Sequence, residues 1–285
     1  MIVDIHTHTY PDEIAERTVA KLSDVAGISA HTDGTSHGLR ESMQSAGIDY
    51  SLVLPVATSP HQVAKVNEVA YKTNLSAARK GLLSFGAIHP DSPDYKRVLR
   101  GVASLGLKGV KLHPDYQDAF FNDIRYKRII DTASELGLFV VVHAGVDIGL
   151  PEPVHTTPAM VREVIHDTGT DRLILAHMGG WCLWDEVMET LVGEDVRIDT
   201  SFSTTAVGLN TPEFKATGLP DMLNEEQFVK MVRAFGADRV LFGSDSPWAS
   251  QRKSRKWIEH TPLHREEKEK ILGKNAEVLL KLKKR

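Results

Sequence analysis

The feature that most constrains this chain is a recurring short apolar run. Eight such runs can be marked: Ile2–His6, Tyr50–Val56, Leu82–His89, Gly109–Leu112, Phe139–His143, Arg172–His177, Val196–Asp199 and Arg239–Gly243. Most are rich in Val, Ile, Leu or Phe without strict alternation, the pattern of strands buried on both faces of a parallel sheet. Their starts are separated by 48, 32, 27, 30, 33, 24 and 43 residues. A barrel of eight parallel strands needs roughly 30 residues per strand–helix unit. Helix-like stretches fill the gaps at Gln62–Arg79, Tyr95–Leu105, Ile124–Leu136, Pro158–Asp167 and Glu225–Phe235. Ile129, Ile130, Ala133 and Leu136 follow the three- and four-residue spacing of one buried helix face. The expectation is an α/β fold, one (β/α)8 TIM barrel forming a single domain over residues 1–285. A doubly wound open sheet is the rival, but no Gly-x-Gly-x-x-Gly turn follows the first strand.

Local punctuation agrees with alternating strands and helices. Ser59-Pro60, Ser92-Pro93, Thr157-Pro158 and Thr261-Pro262 each pair a capping hydroxyl with a proline suited to a first helical turn. Gly47, Gly106, Gly137 and Gly236 stand where helices should end. The two longest gaps hold the glycine-containing loops Gly27–Gly38 after strand 1 and Ser201–Leu223 after strand 7. In a barrel both would overhang the mouth where chemistry is done.

Composition narrows the class. Hydrophobic residues are 41% and charged residues 25% of 285, enough for a core and unlike a disordered polymer. Thirty-four basic and thirty-eight acidic side chains leave a net charge of -4, which argues against nucleic acid as a partner. The longest aliphatic or aromatic stretch, Leu138–Val142, is far too short for a membrane span, and the first residues do not read as a signal peptide. The expected setting is cytoplasmic, with a small-molecule substrate. The lone Cys182 excludes an intrachain disulfide framework and a cysteine-built zinc knuckle.

The thirteen histidines matter by their placement. His6 and His8 are two apart on the first strand and point to one side of its pleat, so they can converge on one divalent ion. His143, His177 and Asp245 close the fifth, sixth and eighth apolar runs. Parallel barrel strands bring such ends to one face, whereas polar groups scattered along strand middles would carry a burial penalty.

The set Asp4-x-His6-x-His8, His143, His177 and Gly243-Ser-Asp245-x-Pro247, with Gly-Val-Lys111-Leu-His113-Pro and Asn275-Ala276, resembles the amidohydrolase superfamily. The likeness is to its amidohydrolase-related branch, which includes aminocarboxymuconate semialdehyde decarboxylase-like enzymes, and it extends over nearly the whole chain. The resemblance implies that His6, His8, His143 and Asp245 ligate one divalent metal, zinc first and manganese second. It gives Asp245 a role in handling the proton of an attacking water, and makes His177 the acid–base group that orients water and substrate. It is also compatible with a homodimer.

Lys111 stays open between three roles: a carboxylated bridge in a binuclear site, a lysine salt-bridged beneath the mouth, and a partner for a substrate carboxylate. His113 is read either as a substrate contact or as a loop histidine before Pro114. His155, Trp181 and Trp248 are substrate-side candidates, the tryptophans as apolar walls. Asp199 and Ser201 either bind ligand or satisfy backbone groups.

The leading functional expectation is a metal-dependent hydrolase that activates water against a small amide, lactone or ester. The alternative is a non-oxidative, metal-dependent decarboxylase of a small carboxylic acid, for which Lys111 and His113 are the strand-end cations in reach. A phosphoesterase and a catalytically silent metal-binding protein rank below both, because strand 8 ends in Gly-Ser-Asp245 and a base and an acid–base histidine are retained.

Overall fold

The computed structural model describes residues 1–209 and 212–283. Among them are nine strands: β1 (Val3–Thr7), β2 (Tyr50–Val53), β3 (Leu82–Ser84), β4 (Gly86–Ala87), β5 (Gly109–Leu112), β6 (Phe139–Val142), β7 (Leu173–Leu175), β8 (Arg197–Asp199) and β9 (Val240–Leu241). Each of the eight apolar runs holds a strand, and only the third is split. The chain forms two compact units, Met1–Ser51 with Ile198–Arg285, and Leu52–Arg197.

In the first unit, β8 pairs in parallel with β9, with Asp199 opposite Leu241. Beside β9 runs β1: the Ile5 amide donates to the Phe242 carbonyl at 2.8 Å and the Asp245 amide to the His6 carbonyl at 2.8 Å. Every residue of β1 is buried. Gly243 lies against this strand because a Cβ there would meet His6 Cβ at 2.8 Å and Ser201 Cβ at 3.3 Å. The gap after β1 is mostly helical, with Asp12–Ala26 and Ser36–Ala46 flanking the glycine-containing loop. Thr35 caps the second of these by accepting from the Gly38 amide. The helix Glu225–Phe235 starts at a reciprocal Asn224–Gln227 capping box.

In the second unit, β4, β5, β6 and β7 pair in parallel in sequence order, with Lys111 opposite Ala87 and Val141. The helices Val63–Leu75, Tyr95–Ser104, Ile124–Glu135 and Pro158–Thr168 alternate with the strands. Val110, Leu112, Val140, Val142, Leu173 and Ile130 have no accessible surface, as wholly buried parallel strands and an inward helix stripe require.

The break between β3 and β4 has a side-chain cause. Asn74 accepts from the Ser84 amide at 2.7 Å and donates to its carbonyl at 3.0 Å. Asn67 does the same for Ala87, at 2.8 and 3.0 Å. Two helix amides thus take backbone groups that a continuous ladder would otherwise pair.

Three expected caps are corrected. Ser59 makes no side-chain hydrogen bond to the turn Pro60–Gln62, and the helix that follows starts only at Val63. The other two lie further along the chain. The helix after Ser92-Pro93 begins two residues on, at Tyr95, where Asp94 accepts from the Arg97 amide. The helix after Thr261-Pro262 begins at Arg265 with His264 as its cap. In both cases a later residue offers the acceptor. Thr157 does cap Pro158–Thr168 as expected. Among the described residues no helix is long and apolar enough to cross a membrane.

Candidate active site

The first unit gathers His6, His8 and Asp245, whose ligand atoms all lie within 4.8 Å of one another. His6 and His8 leave β1 on the same side, and Asp245 stands in the segment that runs beside it. His8 Nε2 is 3.1 Å and His6 Nε2 3.5 Å from Asp245 Oδ1. His6 Nδ1 donates to Asp199 Oδ2 at 2.7 Å, which fixes the imidazole tautomer and turns the Nε2 lone pair away from Asp199. Ser201 donates its amide to Asp199 Oδ1 at 2.9 Å and its hydroxyl to the same oxygen. Asp199 and Ser201 therefore serve the histidine, a role the sequence left open between ligand binding and backbone duty.

Beneath this group, Asp4 accepts from the Ser244 amide at 2.9 Å, the Ser244 hydroxyl at 2.6 Å and Gln251 Nε2 at 2.8 Å. Burial outweighs these bonds and pushes its carboxyl up to about 6. Asp245 holds a left-handed backbone, with φ 71°. His31, in the loop after β1, donates its amide to the Pro247 carbonyl at 2.6 Å, so that loop is tied down two residues from Asp245. Trp248 is half-buried and donates its amide to the Asp245 carbonyl at 2.8 Å.

The second unit gathers another set. His113 follows β5, and His143 follows β6. Their rings stack with centroids 4.2 Å apart and planes 10° apart. His177 Nε2 is 2.9 Å from His143 Nδ1, a distance at which one ring donates to the other. His177 itself has φ 60°, and the Trp184 indole donates to its carbonyl at 3.1 Å. Such left-handed residues other than glycine are uncommon and cluster at functional sites. Trp181 is clamped beside this loop, since its amide donates to the Ala144 carbonyl at 2.8 Å and its carbonyl accepts from Val146. Gly145 must be glycine there: a Cβ would fall 2.1 Å from the Trp181 nitrogen, and φ is +88°.

Two carboxylates that sequence reasoning passed over belong to this second set. Asp147 Oδ2 is 3.6 Å from His113 Nε2 and 3.9 Å from His143 Nε2. Asp115 Oδ2 is 3.7 Å from His113 Nδ1 and 3.9 Å from His143 Nε2. Burial raises the Asp115 carboxyl above the ordinary carboxylate range, and its hydrogen bonds from His155 only partly oppose this. A signal was there to be read: each acid follows a strand-end histidine by two or four residues.

Of the expected metal ligands, His6, His8 and Asp245 come together in the first unit, while His143 lies in the second, beside His113 and His177. Lys111 is buried in β5 with 1% of its surface exposed. His155 is buried and bonds to Asp115 through Nδ1 at 3.1 Å. Burial pushes the Cys182 thiol up to about 12, so it is no nucleophile at neutral pH.

Comparison with known proteins adds the family. The amidohydrolase family model matches residues 3–282. No curated protein sequence matches the chain. Among solved structures, an uncharacterized TIM-barrel protein from Bordetella bronchiseptica is similar at TM-score 0.73 and 17% identity, over 98% of both chains. A 2,6-dihydroxybenzoate decarboxylase from Rhizobium is similar at TM-score 0.67 and 16% identity, over 98% of both. A dihydroxybenzoic acid decarboxylase from Polaromonas sp. JS666, with bound manganese and 2-nitroresorcinol, reaches TM-score 0.69 at 14% identity, over 100% of this chain and 98% of that one. At such identities the likeness establishes the α/β TIM-barrel fold. With its model matched almost end to end, this chain belongs to the amidohydrolase family.

Proposed function

We propose that the chain is a metal-dependent, non-oxidative decarboxylase acting on a small hydroxylated aromatic acid. The observation that carries this reading is the likeness, over 98% or more of both chains, to structures that bear the name of dihydroxybenzoate decarboxylases, one with bound manganese. It favours the decarboxylase alternative over the hydrolase that the sequence placed first.

The residues of the first unit fit a divalent ion. Two imidazoles and a carboxylate are donors that zinc and manganese both accept, and Asp199 holds His6 by Nδ1 with Nε2 on the side of Asp245. His6, His8 and Asp245 would hold the ion, with His143 as the further ligand that the resemblance implies. When bound, such an ion supplies a Lewis acid for a substrate carboxylate or hydroxyl. His177 is the proton carrier. As the bond between ring carbon and carboxylate breaks and carbon dioxide leaves, the electron pair stays on the ring carbon. A proton from the His177 imidazolium then fills that position, a proton from solvent restores His177, and the hydrogen bond to His143 holds the His177 ring in place.

A second reading, hydrolysis, is favoured by one contact. The Asp245 carboxylate stands 3.1 Å from His8 Nε2, beside the residues that would hold the ion, where it could serve as a base toward water. Both readings are tested with manganese- and zinc-loaded protein incubated in deuterated water with 2,6-dihydroxybenzoate and related hydroxybenzoates. Decarboxylation releases carbon dioxide and leaves one deuterium at the vacated carbon. Acid release from a panel of lactones, esters and amides, with no carbon dioxide from any aromatic acid, would replace this reading with hydrolysis.

A further inference from the structure

We propose that His113 is a positioning residue. Its ring is a spacer that fixes the plane of the His143 ring and, through it, the hydrogen bond between His143 and His177. The inference deepens the proposed reaction and rests on it only for its activity readout.

The backbone of His113 is held first. Its amide donates to Gln117 Oε1 at 3.1 Å, and its carbonyl accepts from the Gln117 amide at 3.0 Å. The Tyr126 hydroxyl donates to the same Oε1 at 3.0 Å. Gln117 Nε2 donates to the Ala57 carbonyl at 2.9 Å and to the Ile88 carbonyl at 2.8 Å, in the segments just past β2 and β4. The buried Gln117 amide thus uses both of its donors and both acceptor positions of its oxygen. A buried polar network satisfied in full is rigid, so the His113 ring projects from a fixed backbone.

The ring itself is stacked. Tyr116 lies against it with centroids 4.2 Å apart and planes 21° apart. His143 lies against it at 4.2 Å and 10°. Two rings so close and so nearly parallel to a third would overlap on a single face, so Tyr116 and His143 take opposite faces. The edge is turned toward acids, with Nδ1 3.7 Å from Asp115 Oδ2 and Nε2 3.6 Å from Asp147 Oδ2. Covered on both faces and 6% exposed, His113 is packed as a wall behind His143 and not as a substrate contact.

His143 passes the constraint on. Its Nδ1 lies 2.9 Å from His177 Nε2, and the two rings meet edge to face at 64°. That contact is lost if the His143 ring rotates, and the stack on His113 opposes the rotation. Stacking needs a flat ring and no nitrogen, so phenylalanine should replace His113 where alanine cannot.

Two readouts test the assignment, one of them without turnover. The full chain, labelled with isotopic nitrogen in histidine and treated with chelator, is measured by NMR for scalar coupling between His143 Nδ1 and His177 Nε2 across their hydrogen bond. Wild type and His113→Phe should show the coupling, and His113→Ala should lose it. In metal-loaded protein acting on a hydroxybenzoate, His113→Ala should lower kcat about tenfold or more and change KM less than about threefold, because it misplaces the proton carrier. His113→Phe should keep kcat within about threefold of wild type. Where circular dichroism melts show that His113→Ala does not fold, Tyr116→Ala, at a half-buried position, takes its place and should weaken the coupling. The proposal is overturned if His113→Phe is as impaired as His113→Ala, since the ring nitrogens would then be the working groups. It is overturned equally by a coupling that is absent from wild type, or that survives unchanged in the alanine variant. Because the coupling is read without substrate, a wild type that releases no carbon dioxide would sink the proposed reaction while the NMR comparison still decides the role of His113.

Discussion

The histidine clusters of the two units are built from the same residue types by opposite means. In the first unit, short hydrogen bonds fix the ring and the acid beneath it: Asp199 to His6 at 2.7 Å, and Ser244 and Gln251 to Asp4 at 2.6–2.9 Å. In the second, the two carboxylates approach the imidazoles at 3.6–3.9 Å, and one Asp115 oxygen has no hydrogen bond. The difference teaches how each group tolerates its burial. The first set is satisfied by the protein itself and presents a prepared pair of nitrogens. The second leaves one buried oxygen of Asp115 without a hydrogen bond, and burial holds that carboxyl above the ordinary carboxylate range.

The comparison is tested most severely by His6→Ala/His8→Ala. This change should remove the first unit's ion and bring turnover below detection, while chelator-treated protein keeps its far-ultraviolet circular dichroism. Next comes Asp245→Asn, for which turnover should fall by about 10²–10⁴-fold, the usual worth of a positioned acid or base. Thermal melting should move little.

Changing Asp to Asn in both clusters sharpens the contrast. Asp199→Asn puts an amide against His6 Nδ1 and drives the ring proton to Nε2. Metal affinity should then fall by roughly 10–100-fold, read by competition with a chromophoric chelator. Asp115→Asn removes a buried charge whose Oδ2 is unbonded. Chelator-treated protein should unfold at the same urea concentration or a higher one, by about 1 kcal/mol at most. A large loss of stability there would erase the distinction between the clusters.

A last effect is a slope with pH. Asp4 has its carboxyl raised from 3.8 to about 6, so between these values the folded state binds more protons than the unfolded chain. Its contribution to stability is fully present below the unfolded value and fades as pH rises through about 6. Urea midpoints of metal-free wild type, measured from pH 4 to pH 7 against Asp4→Asn, should show the wild type losing ground as pH increases. A flat difference would mean that Asp4 is not the group responsible.

Much of this was legible in the sequence, for physical reasons that can be named. The strand Gly109–Leu112 was bounded to the residue because a glycine precedes its apolar run and a proline follows one residue after it. His6, His8 and Asp245 stood out because several polar residues end strands together with them, a clustering that scattered core groups would not produce. The split in the third run was not readable, since it depends on Asn67 and Asn74 reaching over from a helix. Asp199 was ambiguous because an acid at a strand end serves a backbone amide as readily as a ring. Asp115 and Asp147 were missed because an acid just past a strand looks like an ordinary turn residue, and Asp147 does cap a turn with one of its oxygens.

The left-handed backbone at His177 and Asp245 sets fold and chemistry against each other. Glycine reaches that conformation without the Cβ penalty, which is on the order of 1 kcal/mol per residue. Selection for stability alone would therefore drift toward glycine at the two positions where the proposed reaction would use an acid–base side chain. A library screened only for heat resistance should enrich His177→Gly and Asp245→Gly, whereas one screened for turnover should purge them.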